Sequence, residues 1–313
     1  MVLEIFNIIA PVFVVVIVGY LSVKSQILTS AVVDGLMKFA VMIAIPCLLF
    51  KATMNLDLSA AFDWKPLSAY YLGAIGSFVI AIMIFRWFFN RRPGESVGIA
   101  FAALFSNLVM LGVPISERAW GLEFMTPNYA LIAVNAPICY LIGITVMEFT
   151  RADGRNLSET AKVVVKAMFK NSLMIGIGLG LMTNVSGLSV PEPVLASLDL
   201  LARSAIPVAL FGLGGVLTRY SFRQASREAS VITALALVLH PFIALLVCQW
   251  LGLPVEIIRS IVLMAAMAPG LNAYLFASMY GRGVAEAAST VIMATTLSVF
   301  SLSFWLIYLR TLG

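Results

Sequence analysis

Charged side chains are scarce in this chain. Asp, Glu, Lys and Arg make up 11% of its 313 residues, against about 25% in a soluble domain. Hydrophobic residues make up 61% and the mean hydropathy is +1.02. No water-soluble fold could hide that much apolar surface, so lipid is the expected solvent for most of it. Histidine occurs once, at His240, and cysteine three times, at Cys47, Cys139 and Cys248. All three thiols sit in apolar stretches without metal-ligand spacing and read as small buried hydrophobes, with no disulfide framework and no metal site. Acidic residues are missing from the depth of every apolar stretch: Glu148, Glu256 and Glu286 fall near ends and Asp199 near an entry. A cation antiporter needs a buried carboxylate to exchange protons for ions, and none is placed to serve. A Gly-Lys-Ser/Thr phosphate loop, His-Glu-x-x-His, Gly-x-Ser-x-Gly and paired intramembrane aspartates are also absent, so neither ATP hydrolysis nor an intramembrane enzyme is expected, and no cofactor. The net charge of +5 is scattered over short loops. It forms no continuous patch, which argues against a nucleic-acid partner and is ordinary for a polytopic membrane protein.

What is present is a series of apolar segments. A transmembrane helix needs about 20 mostly apolar residues, and about ten such spans run near 2–22, 33–52, 67–89, 96–117, 127–149, 167–184, 194–218, 229–251, 257–280 and 285–310. The first has only Glu4 before it and no small-x-small site after it, so it reads as a retained helix and not as a signal peptide. The one sizeable polar connection, 151–170, carries Arg151, Arg155, Lys162, Lys166 and Lys170. It divides the chain into a first half, 1–150, and a second, 171–313. In the sixth span Gly176, Gly178 and Gly180 suit close helix contact better than a phosphate loop. With the N-terminus outside, cytoplasmic loops hold about 14 of the 20 Lys and Arg residues, the bias expected of inner loops. Both termini are therefore expected outside.

The two halves echo each other. Ala44-Ile45-Pro46 in the second span matches Ala205-Ile206-Pro207 in the seventh, marking Pro46 and Pro207 as kinks or hinges. The fourth and ninth spans are both broken: Ser106-Asn107-Leu108-Val109-Met110-Leu111-Gly112-Val113-Pro114 in one and Ala268-Pro269-Gly270-Leu271-Asn272-Ala273-Tyr274 in the other. Five spans is an odd number, so the second half enters the membrane in the opposite sense, which makes an inverted repeat. Backbone broken at membrane depth has to line protein or a watery cavity. Matching breaks in two halves point to a transporter binding site at the midplane.

The breaks suggest the chemistry. Pro114 removes a donor and clashes with the Met110 carbonyl, and Gly112 loosens the same turn. Pro269 and Gly270 act likewise on the other side. Each second half-helix would offer N-terminal amides with partial positive charge, a site for an anion without a buried lysine. Asn107 and Asn272 are the nearest polar side chains; each can donate to a carboxylate or satisfy unwound backbone. The fifth span adds Asn135, whose amide would be costly against lipid, and Tyr140, which lines the site or packs between helices. His240, central in the eighth span beside Pro241, is either a proton carrier or a neutral imidazole bonded to a carbonyl freed by that proline.

The residues resemble the auxin efflux carrier family of membrane transport proteins, in its prokaryotic, malonate-permease-like form. The resemblance runs almost end to end: Gly19-Tyr20-Leu21-Ser22-Val23-Lys24, Phe39-Ala40-Val41, Ala44-Ile45-Pro46, the segment from Asn107 to Pro114 with Trp120-Gly121, Tyr140 with Glu148-Phe149, and Pro269-Gly270 with Tyr274-Leu275-Phe276-Ala277. It implies an all-α integral membrane fold of ten helices in a 5+5 inverted repeat with two crossed broken helices, as in sodium/proton antiporters or bile-acid symporters. Helices one, two, six and seven would form a scaffold and dimer surface, and helices three to five and eight to ten a moving transport domain. Asn107 and Asn135 would contact an organic carboxylate, Tyr140 would line the pocket, and Pro114 and Pro269 would form the crossing. The third helix, 67–85, lacks the acidic residue and lysine of plant-type members, and the central loop is about twenty residues long, as in prokaryotic-type members.

The reading is a secondary carrier of a small organic anion, malonate-like or auxin-like, in a bacterial inner membrane. It would work by elevator-type alternating access as a homodimer. A membrane potential of 100 mV supplies about 2.3 kcal/mol per charge and favours anion export from a negative interior; uptake would need a co-transported cation. The alternatives are a cation-coupled (H+ or Na+) symporter or antiporter of the same broken-helix class, and a non-transporting membrane receptor.

Overall fold

A computed structural model describes residues 2–56, 63–150, 172–219 and 226–312. The expected connecting loop 151–170 and its five basic residues lie outside the described residues. Among the described residues the chain is helical, apart from one isolated antiparallel bridge between Ser106 and Pro269.

The helices follow in order as α1 (Val2–Lys24), α2 (Ser30–Phe39), α3 (Ile45–Met54), α4 (Trp64–Trp87), α5 (Pro93–Leu104), α6 (Val113–Trp120), α7 (Thr126–Thr150), α8 (Ser172–Ser186), α9 (Glu192–Leu217), α10 (Ser226–Ala234), α11 (His240–Trp250), α12 (Val255–Ala265), α13 (Leu271–Tyr280) and α14 (Val284–Arg310). Their starts are written locally. Thr29 Oγ1 accepts the Val32 N–H at 3.5 Å and Asp63 the Lys65 N–H at 3.0 Å, while Glu95 reaches back to the Arg92 N–H at 3.3 Å, each meeting an amide the helix leaves unpaired.

Among the described residues seven stretches are long and apolar enough to cross a membrane: Glu4–Lys24, Ser30–Met54, Trp64–Trp87, Thr126–Thr150, Glu192–Leu217, Arg227–Trp250 and Val284–Arg310. The apolar helix Ile175–Ser186 is shorter. The fourth and ninth expected spans are each two helices, α5 with α6 and α12 with α13, so neither counts as a continuous span.

Among the described residues three π-helical turns, Ala40–Ala44, Leu108–Gly112 and Leu235–Leu239, precede α3, α6 and α11. Each of those helices carries a proline second: Pro46, Pro114 and Pro241. Proline's ring clashes with the carbonyl four residues back, and one extra residue in the turn moves that carbonyl aside. One carbonyl in each of two of these turns takes a donor from a distant helix. Ser172 Oγ donates to the Val41 carbonyl at 2.7 Å, and Trp305 Nε1 to the Leu237 carbonyl at 2.9 Å. Pro207, the expected counterpart of Pro46, lies inside the uninterrupted α9 and has no such turn.

The chain forms two compact units, neither of which coincides with a half of the sequence. One comprises 10–56 and 172–219. In it α3 and α8 pack at backbone distance: a Cβ on Gly176 would overlap the Pro46 backbone and one on Gly180 the Phe50 carbonyl, while Gly178 faces open space. Asp199 on α9 bonds both Lys51 on α3 and Arg203. The other unit comprises the residues up to 9, 63–150 and 226–312. Arg91, after α4, bonds Glu228 of α10 at 2.7 Å and Glu286 of α14 at 2.8 Å. The Glu228 hydrogen bond and the charges of Glu286 and Glu95 hold the Arg91 pKa above its ordinary value.

Candidate functional site

The site lies within the second unit, where the two broken helices meet. α5 ends at Leu104, and the chain runs extended from Phe105 to Asn107 before the π turn begins at Leu108. α12 ends at Ala265, and the chain is irregular through Gly270 before α13 starts at Leu271. The two extended pieces run antiparallel: Ser106 bridges Pro269, and the Asn107 N–H donates to the Ala268 carbonyl at 2.9 Å. Proline has no N–H to extend the ladder, which suits a single crossing.

This corrects the expected position of the first break. The non-helical stretch is Phe105–Asn107. Gly112 falls in the π turn and Pro114 in the first turn of α6. The clash at Pro114 is relieved by the wider turn before it, so the chain need not unwind there. Gly112 instead gives room to α12, since a Cβ there would sit 2.6 Å from Met264 Sδ. The second break does fall at Pro269 and Gly270. Gly270 has an ordinary extended backbone, φ −95° and ψ −174°. Its role is space: a Cβ would lie 3.0 Å from Asn107 Cγ and 3.1 Å from Asn107 Cβ.

Asn107 caps its own half-helix. Its Oδ1 accepts the Met110 N–H at 3.2 Å, and its carbonyl accepts those of Leu111 and Gly112 at 3.3 and 3.1 Å. α13 starts at Gly270 without a side-chain cap, and its first turn carries the partial positive charge of a helix start. Asn272, half-buried in its first turn, accepts the Tyr140 hydroxyl at 3.4 Å. Asn135 is buried, and its Oδ1 accepts the Cys139 thiol at 3.4 Å; the same thiol lies 3.6 Å from the Leu104 carbonyl at the end of α5. The structure therefore gathers Asn107, Asn135, Asn272, Tyr140, Pro269 and Gly270 around the crossing. Pro46 and Pro207 belong to the other unit.

His240 is fully buried behind the crossing. Its Nδ1 lies 3.5 Å from Ser106 Oγ and its Nε2 3.3 Å from the Tyr70 carbonyl. A carbonyl only accepts, so this bond assigns the proton to Nε2. The partner is not the carbonyl freed by Pro241, since Trp305 takes that one. Tyr70 stacks edge-on against the imidazole at 4.8 Å, and its buried hydroxyl lies close to Ser106 without a well-formed hydrogen bond.

Aromatic rings wall one side. Phe101 and Phe276 stack at 3.8 Å, and Tyr140 lies 5.7 Å from both Phe101 and Phe105. Gly143 makes room for the stack, because a Cβ there would overlap Phe101. Ser106, Tyr70, Cys139 and the two phenylalanines were not read as site residues from sequence. Only Ser106, beside Asn107 in the break, carried a local signal. Chemically, the crossing offers amides, a phenol and two helix N-termini, with no charged side chain among the residues gathered there. That set can bind an anion by hydrogen bonds and dipoles.

The profile of the family described as "Membrane transport protein" matches residues 4–306, and the chain belongs to that family. It is 22% identical over 313 residues to a Rhizobium meliloti (strain 1021) protein named "Putative malonate transporter", covering 98% of this chain and 97% of that one. A Methanothermobacter thermautotrophicus protein named "Uncharacterized transporter" is 27% identical, with 95% and 96% covered. A Mus musculus "Lysosomal cholesterol signaling protein" is 26% identical over 76% of this chain and 28% of its own length. The chain is thus a membrane-embedded member of a transport family; two of these relatives are named as transporters and none is named as an enzyme.

Proposed function

We propose that the protein is a secondary transporter of a small organic carboxylate, bound at the crossing and carried by elevator-type alternating access. The observation that carries this reading is the Ser106–Pro269 bridge with Asn107, Asn272 and the uncapped start of α13 beside it. It holds two half-helix starts together and leaves polar donors where lipid could satisfy none. The broken pairs α5–α6 and α12–α13, with α8, supply the remaining three of ten crossings. The unit holding the crossing corresponds to the transport domain and the unit built from α1, α2, α3, α8 and α9 to the scaffold. The malonate in the name of one relative adds support for a carboxylate substrate. The cation-coupled reading keeps one specific observation, His240 in contact with Ser106, which makes the imidazole the proton candidate.

The test is counterflow in proteoliposomes with radiolabelled malonate, succinate and an aromatic acid. At least one acid should exchange, and Asn107→Ala should lose exchange while keeping its thermal stability in detergent. No exchange of any carboxylate by the wild type, alongside exchange of a cation or neutral solute, would reject the reading. A flux whose pH profile is unchanged in His240→Gln removes the imidazole as proton carrier.

A further inference from the structure

α1 passes from one unit into the other without leaving the helix. Residues up to 9 belong to the unit with the crossing and residues from 10 on to the other. The chain changes unit again at 61–62, 161–162 and 219–220. Those three places fall in or beside the stretches 57–62, 151–171 and 220–225, outside the described residues, whereas the first lies inside the helix Val2–Lys24. A shift of one unit against the other therefore bends this helix or frees one of its ends.

Pro11 stands just past this change of unit. It lies within the helix and its ring is exposed, so it acts through the backbone and not by packing. Proline has no N–H for the carbonyl four residues back, here that of Asn7. α1 meets this without the π turn that precedes Pro46, Pro114 and Pro241. The carbonyl goes instead to Arg118 of α6: Nη2 donates to the Asn7 carbonyl at 2.9 Å and Nε to the Ile8 carbonyl at 3.0 Å. A planar guanidinium serves two neighbouring acceptors as a fork. α6 continues the π turn that Asn107 caps, so the fork ties α1 to a half-helix of the crossing. Glu4 bonds Arg310 of α14 at 3.0 Å, and Ile5, Ile8 and Ile9 are buried. The first turns of α1 are thus held within the crossing unit, and directly past them the helix lacks one of its own bonds. Helices bend where a proline removes a bond. A bend of about 20° at Pro11 carries Val2, about 14 Å away, through about 5 Å.

We infer that Pro11 is a hinge in α1 and that Arg118 is the latch that makes the first turns of α1 travel with the crossing, an inference that rests on the elevator reading above. Pro11→Ala regains a bond to the Asn7 carbonyl, whose second lone pair still accepts Arg118. Each bend then has to break that bond, so turnover in the exchange assay should fall about five-fold, equivalent to about 1 kcal/mol. Substrate affinity should be unchanged, and the melting temperature should not drop, since Ala is the better helix former. The latch is tested in a Cys47→Ala background, where the two remaining cysteines are buried. Asn7→Cys with Arg118→Cys removes the fork, and a flexible bis-maleimide joining these two exposed positions replaces it. The bridge should restore the turnover that the unbridged pair loses. A bridge that arrests exchange or fails to restore it overturns the inference, as does a Pro11→Ala turnover equal to that of the wild type. Pulsed electron paramagnetic resonance between spin labels on Phe6→Cys and Leu21→Cys, both exposed on α1, needs no transport. The distance distribution should be broad with Pro11 and narrow with Pro11→Ala, and equal widths overturn the hinge. Differing widths in a protein that exchanges no solute would keep the hinge and reject the transport reading.

Discussion

His240 holds two different things with its two nitrogens, and amide substitutions can separate them. The side-chain nitrogen of Gln falls near the position of Nε2, and the amide end of Asn near Nδ1. His240→Gln therefore keeps a donor for the Tyr70 carbonyl and abandons Ser106. His240→Asn keeps a partner for Ser106 and abandons Tyr70. Both groups are buried, and a buried polar group left without a partner costs about 1–3 kcal/mol. The Ser106 contact, at 3.5 Å, belongs at the low end of that range. Its loss frees the extended segment that carries Asn107, so the expected effect of His240→Gln is on substrate: roughly a tenfold weaker apparent affinity, equivalent to about 1.4 kcal/mol, with little change in melting temperature. His240→Asn should do the reverse, losing about 1–2 kcal/mol of stability with affinity held within about two-fold. Ser106→Ala should copy the Gln variant. The assays are initial-rate uptake into proteoliposomes across substrate concentrations and thermal unfolding in detergent. If Gln and Asn lose stability and affinity in the same proportion, the imidazole acts only as packing and the argument for its positioning role is refuted.

Other outcomes follow from the packing. Gly270→Ala should lower transport flux, because its methyl would press on the Asn107 side chain at 3.0–3.1 Å and push it by a few tenths of an ångström; Gly178→Ala, with nothing within 4 Å, should leave flux and melting temperature unchanged. Trp305→Phe should lower stability by about 1–2 kcal/mol, since the Leu237 carbonyl would have neither the Trp305 donor nor an N–H from Pro241; an unchanged unfolding temperature would show that water or a neighbour replaces it. Arg91→Met should cost about 2 kcal/mol, between exposed and buried ion pairs, because Glu228 and Glu286 would face each other without their shared cation. The wild-type Arg91 pKa is raised, so its contribution is fully present below the arginine range and should not vary between pH 6 and 9. The deficit of Arg91→Met should shrink on acidification as Glu228, whose pKa the Arg91 hydrogen bond lowers against the opposing effect of burial, takes up a proton, and a deficit constant down to pH 4 would contradict the pairing.

Physical causes separate what was legible in the sequence from what was not. Gly270 and Pro269 were readable because a break at membrane depth has few causes, and both residues act where they stand. Pro114 was misread for an instructive reason. A proline inside an apolar run either unwinds the chain or widens the turn before it, and the local residues do not say which. The outcome depends on whether the freed carbonyl finds another donor, and donors such as Ser172 and Trp305 arrive from helices remote in sequence. Pro46 and Pro207 show the same limit, since they share the same tripeptide yet only Pro46 follows a π turn. His240 was conspicuous as the lone histidine, but its partners, Tyr70 and Ser106, come from two other helices and carry no motif. Asn135 was flagged by the cost of an amide in lipid, and the thiol that meets it was dismissed as inert packing. The paired Gly and Pro interruptions therefore pointed to the crossing, whereas the hydrogen bonds that hold it were decided by tertiary neighbours. The same division bears on substrate selectivity. On the proposed reading the bridge and glycines would fix where an anion sits, while the Phe101–Phe276 stack and Tyr140, brought from three helices, would set how much apolar body it can carry.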